Sequence, residues 1–495
     1  MLVFTNLFCN TDNKIFDCFL SALWVNSLSM KSKIVDMTTG SPLAHLLNFT
    51  WPLLIGNVFQ QFYNMVDSVV VGNFVGKNAL AAVGTCGSIC FLFFSLSGGL
   101  ASGIGIIVAQ YFGAKNNKGV RTTIASSYFV LIISSVIVTL IGVILCRPIL
   151  RLISCPPSIL DDAAIYLRYT VLGMIFIAFY NGVSSILRAL GDSKTPLYFL
   201  ILASIINVIL DLVFVVYFKW GVFGVSVATV LAQAISAIAS LVYAHTKVSY
   251  FRLSVKDLLP NMTIVARSFK LGVPMAMQSS LIAISCIVLQ GVVNSFGETV
   301  MAAFTIQNRI EQLVQMPYQS LSAAVTTFAG QNYGAGDIKR VRQGMRKSSL
   351  ISLIFSLLLI PVMFGLGRQI VRAFVNAPDV IEIGFISLKI TCLFYFPLGM
   401  IYIPRAILNG CGDAAFAMIN GITEVACRIL FAHILTRIAF ISLFGREFPI
   451  GAWGIWLTNA FTWTVTALVC LWRYKFGKWR TITHLQPLYE GKNDD

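Results

Sequence analysis

Apolar runs about as long as a bilayer is thick recur along the chain, divided by short polar or basic connections. SSYFVLIISSVIVTLIGVILC (126–146) and SLISLIFSLLLIPVMFGLG (349–367) each meet the ~20 residues that a helix needs to cross hydrocarbon. Twelve such spans are expected, near 45–71, 80–112, 122–146, 162–188, 196–218, 224–245, 268–295, 299–331, 347–367, 381–408, 414–443 and 451–473. An even number of crossings returns both termini to one side.

Polar residues interrupt these runs with a helical period. In the first span Asn57, Gln60, Gln61, Asn64, Asp67 and Ser68 fall at three- and four-residue steps and form one stripe. Amides facing lipid would lack hydrogen bonds, so the stripe is expected to face the protein interior or a wet cavity. An acid at that depth costs several kcal/mol unless something neutralises it. The fifth span, ASIINVILDLVF (203–214), places Asn207 and Asp211 on one face, and Thr229 follows in the sixth. Asp67, Asn207, Asp211 and Thr229 would give Na+ several oxygen ligands, and two carboxylates brought together could equally carry a proton. The competing reading is structural: acids satisfied by neighbouring amides, with Asn207 and Thr229 bonding helices together. The stripe amides of the first span divide between cavity lining and the same helix bonding.

The eighth span repeats the theme in RIEQLVQMPYQSLS (309–322), where Glu311 lies among Asn308, Gln312, Gln315, Gln319 and Ser322. Arg309 points elsewhere on the helix, and Pro317 can bend it. Glu311 is expected to meet a cationic substrate or a proton in a cavity, the alternative being a pair with Arg309 or another base across helices. In the eleventh span Glu424 and Arg428, four apart, are expected to neutralise each other. The seventh span carries no acid.

The chain also repeats itself. VAQYFGAKN (108–116) matches AGQNYGAGD (329–337), pairing Gln110 with Gln331 and Gly113 with Gly334 at an offset of 221. The same offset relates FVGKNALAAVG (74–84) to SFGETVMAAFT (295–305), and ILRALGD (186–192) to ILNGCGD (407–413). Each half therefore holds six spans and has the same topology, which implies a pseudo-twofold axis along the membrane normal and a binding site between the lobes. The repeat is incomplete, since Asn207 falls on Arg428 and Asp211 on Ala432. The segmentation expected is an N-terminal extension at 1–36, a lobe at 37–246, a linker at 247–267, a second lobe at 268–478 and a tail at 479–495. FDCFLSALWVNSLSM (16–30) is too short to span, and MTTGSPLAHLLNFTWPLL from Met37 reads as a natural start. The extension is thus expected to be either a mis-assigned start or a loose interfacial piece.

Composition agrees with this class, with 57% hydrophobic and 11% charged residues, against about 25% charged in a soluble domain. A net charge of +16 would suggest nucleic acid in a soluble chain. Here the positive-inside rule explains it, and no nucleic-acid partner is expected. Lys115, Lys118, Arg121, Arg188, Lys194, Lys247, Arg252, Lys339, Arg340 and Arg346 fall on connections of one side, with few on the other. Both termini are therefore expected in the cytoplasm, in a bacterial inner or plasma membrane. The eleven cysteines and four histidines show no metal or disulfide spacing, so no metal is expected beyond Na+ at Asp67, Asn207 and Asp211. No nucleotide motif or nucleophile cluster points to an enzyme, and no cofactor is expected.

With the tandem pattern, Pro52, AQYFGA, GQNYGA and RALGDSKTP (188–196), the chain resembles the multidrug and toxic compound extrusion family over Met37 to Lys478. The resemblance implies a monomeric secondary transporter exporting amphiphilic, often cationic compounds against H+ or Na+. One branch of that family has a cation site of acids and an asparagine on the first and fifth spans, which Asp67, Asn207, Asp211 and Thr229 match. A related plan serves lipid-linked saccharide flippases. Such a flippase would need a basic central cavity, and the placement of basic residues on connections argues against it.

Overall fold

A computed structural model describes residues 34–153, 155–253, 259–437 and 452–480. Most of the N-terminal extension, part of the inter-lobe linker, the far end of the eleventh span and residues 481–495 of the tail lie outside the described residues. The first lobe comprises α1 (Pro42–Val70), α2 (Lys77–Gly113), α3 (Asn117–Leu152), α4a (Pro157–Leu172), α4b (Met174–Ala189), α5 (Lys194–Asp211) and α6 (Gly221–Lys247). The second comprises α7 (Met262–Asn294), α8 (Glu298–Gly334), α9 (Ile338–Arg372), α10a (Pro378–Cys392), α10b (Tyr395–Gly410), α11 (Ala415–Leu435) and α12 (Trp453–Phe476). Among the described residues, eight helices are long and apolar enough to cross a bilayer, and α4a/α4b and α10a/α10b are spans bent by 46° and 48°. The remaining two, α1 and α8, are 29 and 37 residues long. Their polar stripes lower their hydrophobicity, and both help to line the space between the lobes. Large apolar side chains point away from the protein, with Ile144 69%, Leu358 62% and Leu468 59% exposed, as hydrocarbon contact permits and water would penalise.

The fourth and tenth spans, expected over 162–188 and 381–408, are each broken. The breaks fall at Gly173 and at Leu393–Phe394, positions related by the repeat. The first and fifth spans end in π-helical turns at Val71–Val75 and Leu212–Tyr217, immediately beyond Asp67 and Asp211. Hydropathy cannot register a change of helical pitch, so neither feature was visible in the sequence.

The symmetry is carried into atomic detail at the end bearing the basic connections. Gly191 and Gly412 turn the chain with φ of 90° and 91°. There α2 and α8 cross so closely that a Cβ on Gly113 would lie 1.8 Å from the Gln331 carbonyl oxygen, and one on Gly334 1.9 Å from that of Gln110. Gln110 Nε2 donates to Gly410 O at 2.7 Å, and Gln331 Nε2 to Ala189 O at 2.8 Å. Ala189 and Gly410 close α4b and α10b, whose last carbonyls have no partner within the helix. Each glutamine thus caps a helix of the opposite lobe.

Residues 34–36 are not loose. Val35 N donates to Leu190 O at 3.1 Å and Asp36 pairs with Lys115, both in the first lobe. Met37 N then donates to Gln331 Oε1 at 2.8 Å, and Arg340 donates to the carbonyls of Met37, Thr39 and Gly40 in the other direction. The segment 35–40 is a strap across both lobes at the basic end.

Candidate functional site

The lobes are sealed together at the basic end and enclose a cleft beyond it. Three cavities of about 670, 640 and 540 Å3 share walls, and Phe91 lines all three. The central one is the floor, the second reaches into the C-terminal lobe and the third into the N-terminal lobe.

Of the stripe on α1, Asn57 and Gln60 line the floor and the N-terminal cavity, and Asn64 lines the latter. Asn57 Nδ2 also donates to Ser320 Oγ on α8 at 3.0 Å, linking the lobes. Gln61 lines none of the three cavities; it accepts from Asn64 Nδ2 at 3.3 Å on the same helix. One step of a three- and four-residue pattern is enough to turn a side chain off the cavity face.

The acids of the first lobe stand one layer behind this wall. The carboxyls of Asp67 and Asp211 meet, because α1 packs along α5 and each acid sits near the end of its helix. Asp211 is fully buried and Asn207 2% exposed. Asp67 Oδ1, both Asp211 oxygens and Asn207 Oδ1 have no hydrogen-bond donor. Neither acid has an ion-pair partner among the described residues. Asn207 Nδ2 donates to Thr229 Oγ1 at 3.3 Å, which itself donates to Val225 O at 3.0 Å. The four expected residues therefore form one cluster with unused acceptors turned inward.

Tyr63 was missed. Its hydroxyl adjoins Thr229 and lies within electrostatic reach of both acids, while Tyr63 and Thr229 line the N-terminal cavity and separate it from the carboxyls. Its position, four residues before Asp67, was the available signal.

In the second lobe Asn308, Glu311, Gln312 and Gln315 line one cavity together with Glu424 and Arg428. Glu311 accepts from Gln307 Nε2 at 2.8 Å, and the positive charge that acts on it is Arg428 rather than Arg309. Arg428 bonds Glu424 at 2.9 Å in a pair exposed by only 6% and 7%, and donates to Ser285 Oγ at 2.9 Å. Gln315 Oε1 accepts from the Tyr402 hydroxyl at 3.1 Å.

The basic residues require a correction. Arg188, expected on a connection, lines the floor and the N-terminal cavity, because α4b continues inward to Ala189. Arg405 of α10b lines the floor and the C-terminal cavity, its guanidinium 4.8 Å from the Tyr402 ring centre. The ground for excluding a basic central cavity is therefore removed. Among the described residues no group of three or more His, Cys, Asp or Glu is placed to hold a metal ion.

The MatE family model matches the chain twice, over residues 52–213 and 274–434, so both halves carry the same signature. The chain is 31% identical over 452 residues to the probable multidrug resistance protein YpnP of Bacillus subtilis, covering 91% of this chain and 98% of that one. It is 25% identical to the probable multidrug resistance protein NorM of Thermotoga maritima, covering 88% and 92%. A solved MOP superfamily transporter from Pyrococcus furiosus superposes with a TM-score of 0.81 at 22% identity, covering 92% of this chain and 99% of the other. With two six-helix halves around a polar cleft and a family signature in each, the chain belongs to the MatE family of multidrug and toxic compound extrusion transporters.

Proposed function

We propose that the protein exports amphiphilic compounds by alternating access, in exchange for H+ or Na+ entering at Asp67, Asn207, Asp211 and Thr229. The carrying observation is the Asp67–Asp211 pair: Asp211 is fully buried and Asp67 partly so. Asp67 Oδ1 and both Asp211 oxygens have no donor, and neither acid has a basic partner among the described residues. Two carboxylates in such a place cannot both stay charged unless a cation joins them. A proton or Na+ supplies that charge from outside. The unused oxygens of both acids and of Asn207 offer ligands for Na+, and either carboxyl offers a seat for a proton.

The positive-inside rule assigns the basic end to the cytoplasm. On that orientation we read the cleft, closed at the basic end by the Gln110 and Gln331 contacts, as the outward-facing state in which cargo leaves and the ion arrives. Tyr63 and Thr229 couple the two, since they form the cavity wall on one side and adjoin the acids on the other. Neutralising the pair changes what that wall rests on, and the ion shifts the equilibrium only by binding one state better than the other. The multidrug resistance names of the relatives support the same direction of transport.

Purified protein in vesicles, with Na+ and pH gradients imposed separately, tests this reading. Efflux of amphiphilic dyes of either charge should accelerate with one gradient. Efflux indifferent to both would overturn the exchange mechanism.

A further inference from the structure

Arg188 and Arg405 approach the cavity floor from opposite lobes. Neither has a carboxylate partner among the described residues, and no Asp or Glu lines the floor. The two acids that do face the cleft, Glu311 and Glu424, lie in the C-terminal cavity, where Arg428 stands between them. Two guanidiniums in a partly dry wall repel each other and focus a positive potential into the space they share. Gln278 is 6% exposed, lines the same floor, and its Nε2 has no acceptor. A buried amide donor without a partner points to an acceptor that arrives from elsewhere. Phe91, Phe94 and Met275 supply an apolar wall beside it.

We infer that the floor of the cleft holds the anionic head of an amphiphile, a carboxylate, phosphate or sulfonate gripped between Arg188 and Arg405 with Gln278 donating. The planar guanidinium fork matches such groups in two-point contacts, which a uniformly polar pocket does not offer. The apolar body of the same molecule lies on Phe91 and Met275. This rests on the export reading of the cavity and specifies its substrate class, as a compound bearing negative charge, alone or as part of a zwitterion.

The test uses full-length protein in nanodiscs of phosphatidylcholine, with no ion gradient, so that failure of ion coupling does not obscure the result. Two probes share one body and differ in charge: dansyl-aminoundecanoate and dansyl-aminoundecylammonium. Fluorescence titration should show the carboxylate bound at least tenfold more tightly. Arg188→Gln and Arg405→Gln should each reduce that preference several-fold, and the double variant should abolish it. Arg405→Lys, which keeps the charge, should retain most of it and so separates lost charge from misfolding. Added phosphatidylglycerol that displaces the carboxylate probe identifies a lipid phosphate as the natural head group. A probe that phosphatidylglycerol leaves in place identifies a free amphiphilic anion. Equal or tighter binding of the ammonium probe by the wild type, or a preference surviving in the double variant, would overturn the inference.

Discussion

Gln110 and Gln331 perform one task twice: each reaches across the pseudo-twofold axis and caps the last carbonyl of a helix in the other lobe, at 2.7 and 2.8 Å. Their own oxygens are taken up differently, Gln110 Oε1 by Arg267 at 2.6 Å and Gln331 Oε1 by Met37 N at 2.8 Å. The closed basic end is thus held by buried hydrogen bonds, which are costly to break one partner at a time.

Gln110→Ala leaves the Gly410 carbonyl without a donor, at about 1–3 kcal/mol. The penalty falls on the closed arrangement, so the basic end should open more often. Spin labels at Lys118 and Lys339, both exposed and related by the repeat, should show a longer distance component than in the parent. An unchanged distance distribution would show that this contact does not hold the seal.

Asp67→Asn should abolish drug resistance while the protein still accumulates in the membrane. Because it removes an uncompensated charge from the interior, thermal stability in detergent should be unchanged or higher. A stability loss accompanying normal resistance would mean that the acid is merely structural.

Arg428 and Glu424 should respond unequally. Arg428→Met strands two acids, Glu424 and Glu311, and should cost about 3–5 kcal/mol, as for other broken buried pairs. Glu424→Gln leaves Arg428 with Glu311 still near and should cost distinctly less. Equal losses in thermal unfolding would contradict the three-residue arrangement.

Gly113→Ala drives a methyl into the Gln331 backbone, which sits on a helix and cannot retreat alone. Overpacking of this kind costs about 1–3 kcal/mol or more. Gly84→Ala, where a Cβ meets nothing within 4 Å, should be neutral. Comparing the two by thermal midpoint checks the helix crossing.

Much of this molecule was legible in its sequence because a bilayer imposes simple rules. Length and hydropathy fixed the spans, and the recurrence of Gln110 as Gln331 exposed the duplication. The acid cluster was legible because a carboxylate in hydrocarbon must have a reason to be there. Arg188 was not, since a base near a span end looks the same on a connection as on a cavity wall. Gln61 failed for a related reason: neighbouring polar positions share a stripe in sequence and part company around the helix. The bends at Gly173 and Phe394 leave hydropathy unchanged and were invisible to it.

The strap at residues 35–40 has a consequence for biogenesis. Its hydrogen bonds to Gln331, Asn332 and Arg340 join positions 294 to 303 apart in the chain. Translation delivers the strap first and its anchors some three hundred residues later. The segment can dock first on Leu190 and Lys115 of its own lobe, but its latch to the second lobe closes only after the eighth crossing and the start of the ninth have been made, so a ribosome that stops short leaves the molecule unlatched.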